Sequence, residues 1–240
     1  FEDAKQIPFT LRSTILIIGS CLDCDMLTYK SVILHWMGHA SFRIEDKRSG
    51  LLIYIDPYRL PAGLPKADLI LVTHSHQDHL SIEDLGMITT TSTTIIAAAD
   101  CLDKLGSLHV SDIIPAAPDS TIDLPGLRIQ AVPAYNLASQ YHPKNNDFIG
   151  FIITNADGVS IYHAGDTDAI PEMERIQVDI ALLPVSGKYT MDAKTAAEAT
   201  KMIDGKIAVP MHYGAIIGSE TDAQIFADHA ACTVRILDKD

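Results

Sequence analysis

Apolar positions in this chain fall in short runs broken by turn residues. Ser31 to Met37, Ser41 to Glu45 and Leu51 to Ile55 read as strands, and Lys47-Arg48-Ser49-Gly50 turns the chain between the second and third. That spacing predicts an antiparallel meander. Leu69 to Thr73 is apolar without polar alternation, as in a strand covered on both faces, and it runs directly into His74. Ser81-Ile82-Glu83-Asp84 carries a helix-start signal, followed by a strand at Thr93 to Ala98 and a short helix near Ala99 to Leu105. A second β-rich block then begins. Pro125-Gly126 turns between Thr121 to Leu124 and Leu127 to Val132, and Asn155 to Gly158 separates Phe148 to Thr154 from Val159 to His163. Val178 to Leu183 and Ile207 to Met211 read as buried strands around an Ala-rich helix, Ala193 to Ile203. Thr221 to Ala231 reads as a helix leading to a last strand, Thr233 to Leu237. Two halves, each a meander followed by strand and helix, predict two packed sheets with helices outside.

With 240 residues, 47% hydrophobic and 20% charged, the chain falls in the globular range and suits one large domain. That domain is placed at residues 31–240, with 1–30 as an N-terminal extension or a signal or anchor segment. The formal charge of −13 argues against nucleic acid, whose phosphates demand cationic neutralisation. Bound divalent ions would reverse the field locally, so a small anionic substrate fits. No apolar run reaches the 18 or so residues that span a bilayer; the longest, Ile15 to Leu22, follows Arg12. It ends in Ile18-Gly19-Ser20-Cys21, similar to a bacterial lipoprotein signal lipidated at Cys21, while Met26 offers a start that omits the segment. The expectation is a cytoplasmic protein, with a lipoprotein or exported form as the alternative. Cys21 and Cys24 form a Cys-x-x-Cys pair with no second pair, and Cys101 and Cys232 stand alone; the four read as ordinary or locally oxidisable thiols.

The chemistry concentrates in Thr73-His74-Ser75-His76-Gln77-Asp78-His79, with three histidines and an aspartate in six residues. His74 and His76, two apart in extended chain, project to one side and can share a metal. Asp78 and His79, just beyond, can reach a second. Imidazole with carboxylate and no nearby thiolate suits zinc, manganese or iron. Two metals need further ligands at other strand ends, and Asp166 in Tyr162-His163-Ala164-Gly165-Asp166-Thr167 and His212 in Pro210-Met211-His212-Tyr213-Gly214 are so placed.

These residues resemble the metallo-β-lactamase superfamily, whose signature is His-x-His-x-Asp-His followed by distant His, Asp and His. The resemblance covers about residues 31–240. Trp36-Met37-Gly38-His39-Ala40-Ser41-Phe42 and Ile55-Asp56-Pro57 look like the branch of ascorbate-6-phosphate lactonases and related metal-dependent hydrolases. The resemblance implies an α/β fold, a four-layer αβ/βα sandwich of two mixed sheets packed face to face, with the metals at one edge between them. It implies His74 and His76 on one metal, Asp78, His79 and His212 on the other, and Asp166 bridging. It also implies a hydrolase that uses a hydroxide at this dinuclear site to cleave a small ester, lactone or related bond, with Asp78 managing its proton. A phosphodiesterase of small or lipid substrates, or a metal-binding protein without turnover, is the alternative. Two divalent ions are expected, zinc first, manganese as the alternative and iron third; a homo-oligomer stays open.

The chain departs from the family pattern at the third ligand of the first metal. Asn136 follows Pro133-Ala134-Tyr135, and the nearest histidine is His142, 24 residues before Asp166. His142 is the first candidate, Asn136 or water the second, and a mononuclear site the third. His39 and Asp56 are expected to orient ligands or contact substrate, or to be satisfied turn residues. Lys188, Tyr189 and Tyr213 are weaker candidates for substrate contact. His163 is expected to orient its loop, and His35, His109 and His229 to be structural.

Overall fold

The computed structural model describes residues 25–240; Cys21, Cys24 and the signal-like segment lie outside them. Among the described residues, two seven-stranded sheets make up the fold. The first runs in chain order through β1 (Leu27–Tyr29), β2 (Val32–Gly38), β3 (Ser41–Asp46), β4 (Leu52–Ile55), β5 (Leu69–Val72), β6 (Thr94–Ala98) and β7 (Asp112–Ala116). The second contains β8 (Thr121–Leu124), β9 (Leu127–Pro133), β10 (Ile149–Asn155), β11 (Ser160–His163), β12 (Gln177–Pro184), β13 (Asp204–Met211) and β14 (Thr233–Val234), again in sequential order. In each sheet the first four strands pair antiparallel and the remaining pairs are parallel. The expected sandwich is present, each half a meander followed by parallel strands.

The two sheets meet face to face. The Phe42 ring of β3 stands edge-on to the His163 ring of β11 at 5.8 Å, and Asn155 donates across to Ser31 and Asp46 at 3.0 and 3.2 Å. All four residues of β5 are buried, which explains its unalternating sequence. Helices α1 (Ile82–Ile88), α2 (Leu102–Leu105), α3 (Ala193–Met202) and α4 (Glu220–His229) complete the fold. Ser81 caps α1 by accepting from the Asp84 amide, as its position before Glu83-Asp84 predicts. Helix α3 buries Ala193, Ala196, Ala197 and Ala199, small side chains that let it lie close to β12 and β13.

Some boundaries differ from the sequence reading. The line drawn at residue 31 falls inside the first sheet, because Leu27–Tyr29 pairs with β2 and Leu27 is buried in the core. Three residues are too few to show periodicity. Strand β7 was not anticipated: its Pro115 removes a donor, which sequence reasoning treats as a strand breaker, yet at a sheet edge the loss is tolerated. The last strand is shorter than expected, and the chain beyond it crosses to the first sheet, where Lys239 bridges to Trp36.

Gly150 sets how closely β10 approaches the turn that carries Asp166. A Cβ at this position would lie 2.6 Å from the carbonyl oxygen of His163 and 2.8 Å from that of Ala164. Gly150→Ala is therefore expected to destabilise the protein by about 1–3 kcal/mol through overpacking, read as a lowered urea midpoint; an unchanged midpoint contradicts this packing.

Candidate metal centre

Strand ends from both sheets converge at one edge of the sandwich. His39 follows β2, Asp56 follows β4, His74 follows β5, Asp166 lies just past β11 and His212 directly follows β13. Parallel strands with their carboxyl ends at a common edge create such a crevice. Three of these residues adopt left-handed backbone, His39 at φ 54°, Asp56 at 44° and His212 at 63°, and Gly165 takes φ 64° immediately before Asp166. Non-glycine residues in this region are strained, and such strain clusters where side chains must be aimed.

The converging atoms form two groups around one carboxylate. The ring nitrogens His74 Nε2 and His142 Nε2 lie 3.0 and 3.2 Å from His76 Nδ1. On the other side, His39, Asp78, His79 and His212 each bring a ligand atom within 4.8 Å of the others. Asp166 stands between: Oδ1 is 3.3 Å from His79 Nε2 and 3.2 Å from His212 Nε2, while Oδ2 is 3.4 Å from His142 Nε2.

The outward nitrogens decide which way each ring presents its lone pair. Asp56 accepts from the Thr73 amide, the Thr73 hydroxyl and His79 Nδ1 at 2.8, 2.7 and 2.7 Å, so His79 points its Nε2 inward. With its proton given to Asp56, the Thr73 oxygen accepts from His74 Nδ1 at 3.0 Å. Asn136 Oδ1 and the Tyr189 carbonyl accept from His142 Nδ1 at 3.0 and 3.2 Å. Asn136 Nδ2 donates to Asp168 Oδ1 and to the same carbonyl, which fixes the amide's orientation. Ser186 Oγ contacts His212 Nδ1 at 3.0 Å. Inward, His79 Nε2, His212 Nε2 and Asp166 Oδ1 are buried without a hydrogen-bond partner. Buried polar atoms are normally satisfied, and unpaired nitrogen and carboxylate atoms aimed at a common point are what divalent cations complete. The residues thus fit the metals that the sequence suggested.

Electrostatics agree. Burial, reinforced by the neighbouring His79, holds His74 well below the ordinary imidazole value, and burial also lowers His142, leaving both neutral. Burial opposes charge on His79, but Asp166 and Asp56 outweigh it and lift that ring well above its usual value in the metal-free chain. Asp166 is buried yet held ionised by His212 and His79. Burial likewise opposes ionisation of Asp78, and the hydrogen bond from His39, 2.9 Å away, overcomes it and keeps the carboxylate charged.

Of the weaker candidates, His163 is fully buried, contacts the Ala40 carbonyl at 2.8 Å and accepts from the Gly165 amide, steering the turn before Asp166. Tyr213 stacks on Trp36 at 4.7 Å and is buried. His35 pairs with Glu45 and Asp240, and His229 contacts the Ile225 carbonyl of its own helix. Sequence reasoning missed Ser186, Asp168 and a clamp on Ser75, the residue between His74 and His76. The Ser75 amide donates to Asp100 Oδ2 at 2.9 Å, and its carbonyl accepts from Lys104 Nζ at 2.5 Å.

A family model described as a beta-lactamase superfamily domain matches residues 33–212, and the chain belongs to that family. A UPF0173 metal-dependent hydrolase of Methanopyrus kandleri is 32% identical over 208 residues, covering 80% of this chain and 88% of the relative. One of Thermoplasma acidophilum is 37% identical over 189 residues, covering 74% and 81%. The solved structure of Igni18, a metallo hydrolase of Ignicoccus hospitalis, superposes with a TM-score of 0.71 at 28% identity, covering 87% of this chain and 95% of that one.

If the Ser75 clamp aims His74 and His76, Asp100→Ala should weaken metal binding about tenfold, within the range seen when outer supports of metal ligands are removed. Asp100→Asn, which keeps a carbonyl acceptor, should recover most of it. Chelator competition reads the affinity; equal affinity in all three proteins contradicts the clamp.

Proposed function

We propose that this member of the beta-lactamase superfamily is a metal-dependent hydrolase acting on a small ester or lactone. One observation carries the reading: rings whose outward nitrogens are tied down turn their inward nitrogens to a common centre, and Asp166 offers an oxygen to each side of it. In this reading His74, His76 and His142 would hold one divalent cation and Asp78, His79 and His212 a second, with Asp166 offering an oxygen to each side. Imidazole and carboxylate ligands favour zinc, with manganese next. When bound, two such ions supply Lewis acidity that lowers the pKa of a water toward neutrality and polarises the substrate oxygen.

The chain's own residues orient and move protons. Asp56, Asn136 and Thr73 keep the imidazole lone pairs facing inward, and His39 holds Asp78 Oδ2. The Asp78 side chain is 25% exposed against 3% for Asp166, so Asp78 is the carboxylate that solvent and substrate can reach. It takes the proton of the attacking water and returns it to the leaving oxygen. The cleft is walled by His76, Asp78, Tyr141, His142, Asp166 and Tyr189, with no Lys or Arg to clamp a phosphate. That wall favours an ester or lactone over a phosphodiester.

Zinc-loaded protein should turn over members of an ester and lactone panel faster than phosphodiesters. Asp78→Asn should lower kcat about 10²–10⁴-fold, the usual weight of general acid–base catalysis, with an unchanged circular dichroism spectrum. Turnover retained in the folded variant contradicts the assignment.

A further inference from the structure

The metal cleft is small and its walls are aromatic. Its volume is about 210 Å³, below the roughly 300–1,000 Å³ typical of pockets for drug-sized ligands. Apart from the metal-centre residues, the side chains lining it are Tyr141 and Tyr189, whose rings meet edge to face at 4.7 Å and 84°.

Both tyrosines are tied to His142. Tyr141 precedes it in the chain, and the Tyr189 carbonyl accepts from His142 Nδ1 at 3.2 Å and from Asn136 Nδ2 at 3.0 Å. Both residues are therefore anchored beside the centre through their backbone, and their rings pack against each other. Their outer face is open: Tyr141 is 47% exposed, and Leu137 on the same loop is, at 63%, the most exposed large apolar side chain among the described residues. Exposed apolar groups concentrated beside a concave site mark a binding surface. Lys188 sits over the Tyr189 ring at 5.0 Å and does not line the cleft.

The geometry points to Tyr141 and Tyr189 as a specificity wall that selects substrates carrying one flat, unsaturated ring next to the scissile carbonyl, such as an aryl ester or a ring-fused lactone. This rests on the hydrolase reading above and names its substrate class. A flat ring fits against aromatic faces in offset or edge-on contact and gains from burial. A methyl ester lacks that surface.

Binding of carboxylate anions tests this without requiring turnover. Benzoate and acetate present the same anionic head to the metal-loaded protein and differ in the ring. Calorimetric titration should show benzoate binding at least tenfold tighter than acetate. Tyr141→Ala and Tyr189→Leu should each cut that ratio to threefold or less, while Tyr141→Phe, which keeps the ring, should preserve it. The Tyr189 backbone carbonyl survives its substitution and continues to hold His142. Metal content measured on the same samples separates two kinds of failure. Full metal with equal benzoate and acetate affinities, with a preference indifferent to both substitutions, or with no binding of either anion overturns the aromatic wall alone. Protein that takes up no metal overturns the hydrolase reading and this inference with it.

Discussion

Asp166 is the carboxylate around which the centre is arranged. It is buried and charged, facing His79 and His212 through one oxygen and His142 through the other. An isolated carboxylate in such a place would be strongly disfavoured by desolvation, so its surroundings must compensate. The fold supplies them from separate parts of the chain: His79 from beyond β5 in the first sheet, His212 from β13 in the second, and His142 from the connection between β9 and β10. The sandwich brings these ends to one edge, and Gly150 and Gly165 let the backbone pass closely enough to place Asp166 among them.

Around this carboxylate, the supporting residues hold the imidazoles in fixed orientations with one nitrogen turned toward the centre. Asp56 takes three hydrogen bonds from Thr73 and His79 and thereby sets the orientation of two rings, because the Thr73 hydroxyl it accepts from then faces His74. Asn136 does the same for His142, and Asp168 holds Asn136. Left-handed backbone at His39, Asp56 and His212 is the conformational strain that accompanies this aiming. The extensive buried core of both sheets makes such strain tolerable.

Much of this was legible in the sequence because it is local. The dense run from His74 to His79, the Asp166 and His212 strand ends and the strand–turn punctuation of both meanders are readable within windows of a few residues. Two paired sheets follow from that punctuation, and the structure has them. What escaped depends on contacts across long separations. His142 and Asn136 were competing ligand candidates in sequence; in the fold Asn136 lies behind His142, bound to Asp168 and to the Tyr189 carbonyl 53 positions away. Ser186 reaches His212 across 26 positions, and Asp100 reaches the Ser75 amide across 25. No local pattern marks a serine or an aspartate for such a role. His39 and Asp56, expected to orient ligands or contact substrate, lie against Asp78 and His79.

The central claim is that two cations share Asp166, with His142 completing the side on which Asn136 was the rival. Elemental analysis of protein purified without added metal, beside a folded His142→Ala variant, tests it most directly. The account predicts two equivalents of a divalent metal per chain, zinc first, falling to one in the variant. One equivalent or none in the parent protein, or two equivalents undiminished in the variant, would contradict it.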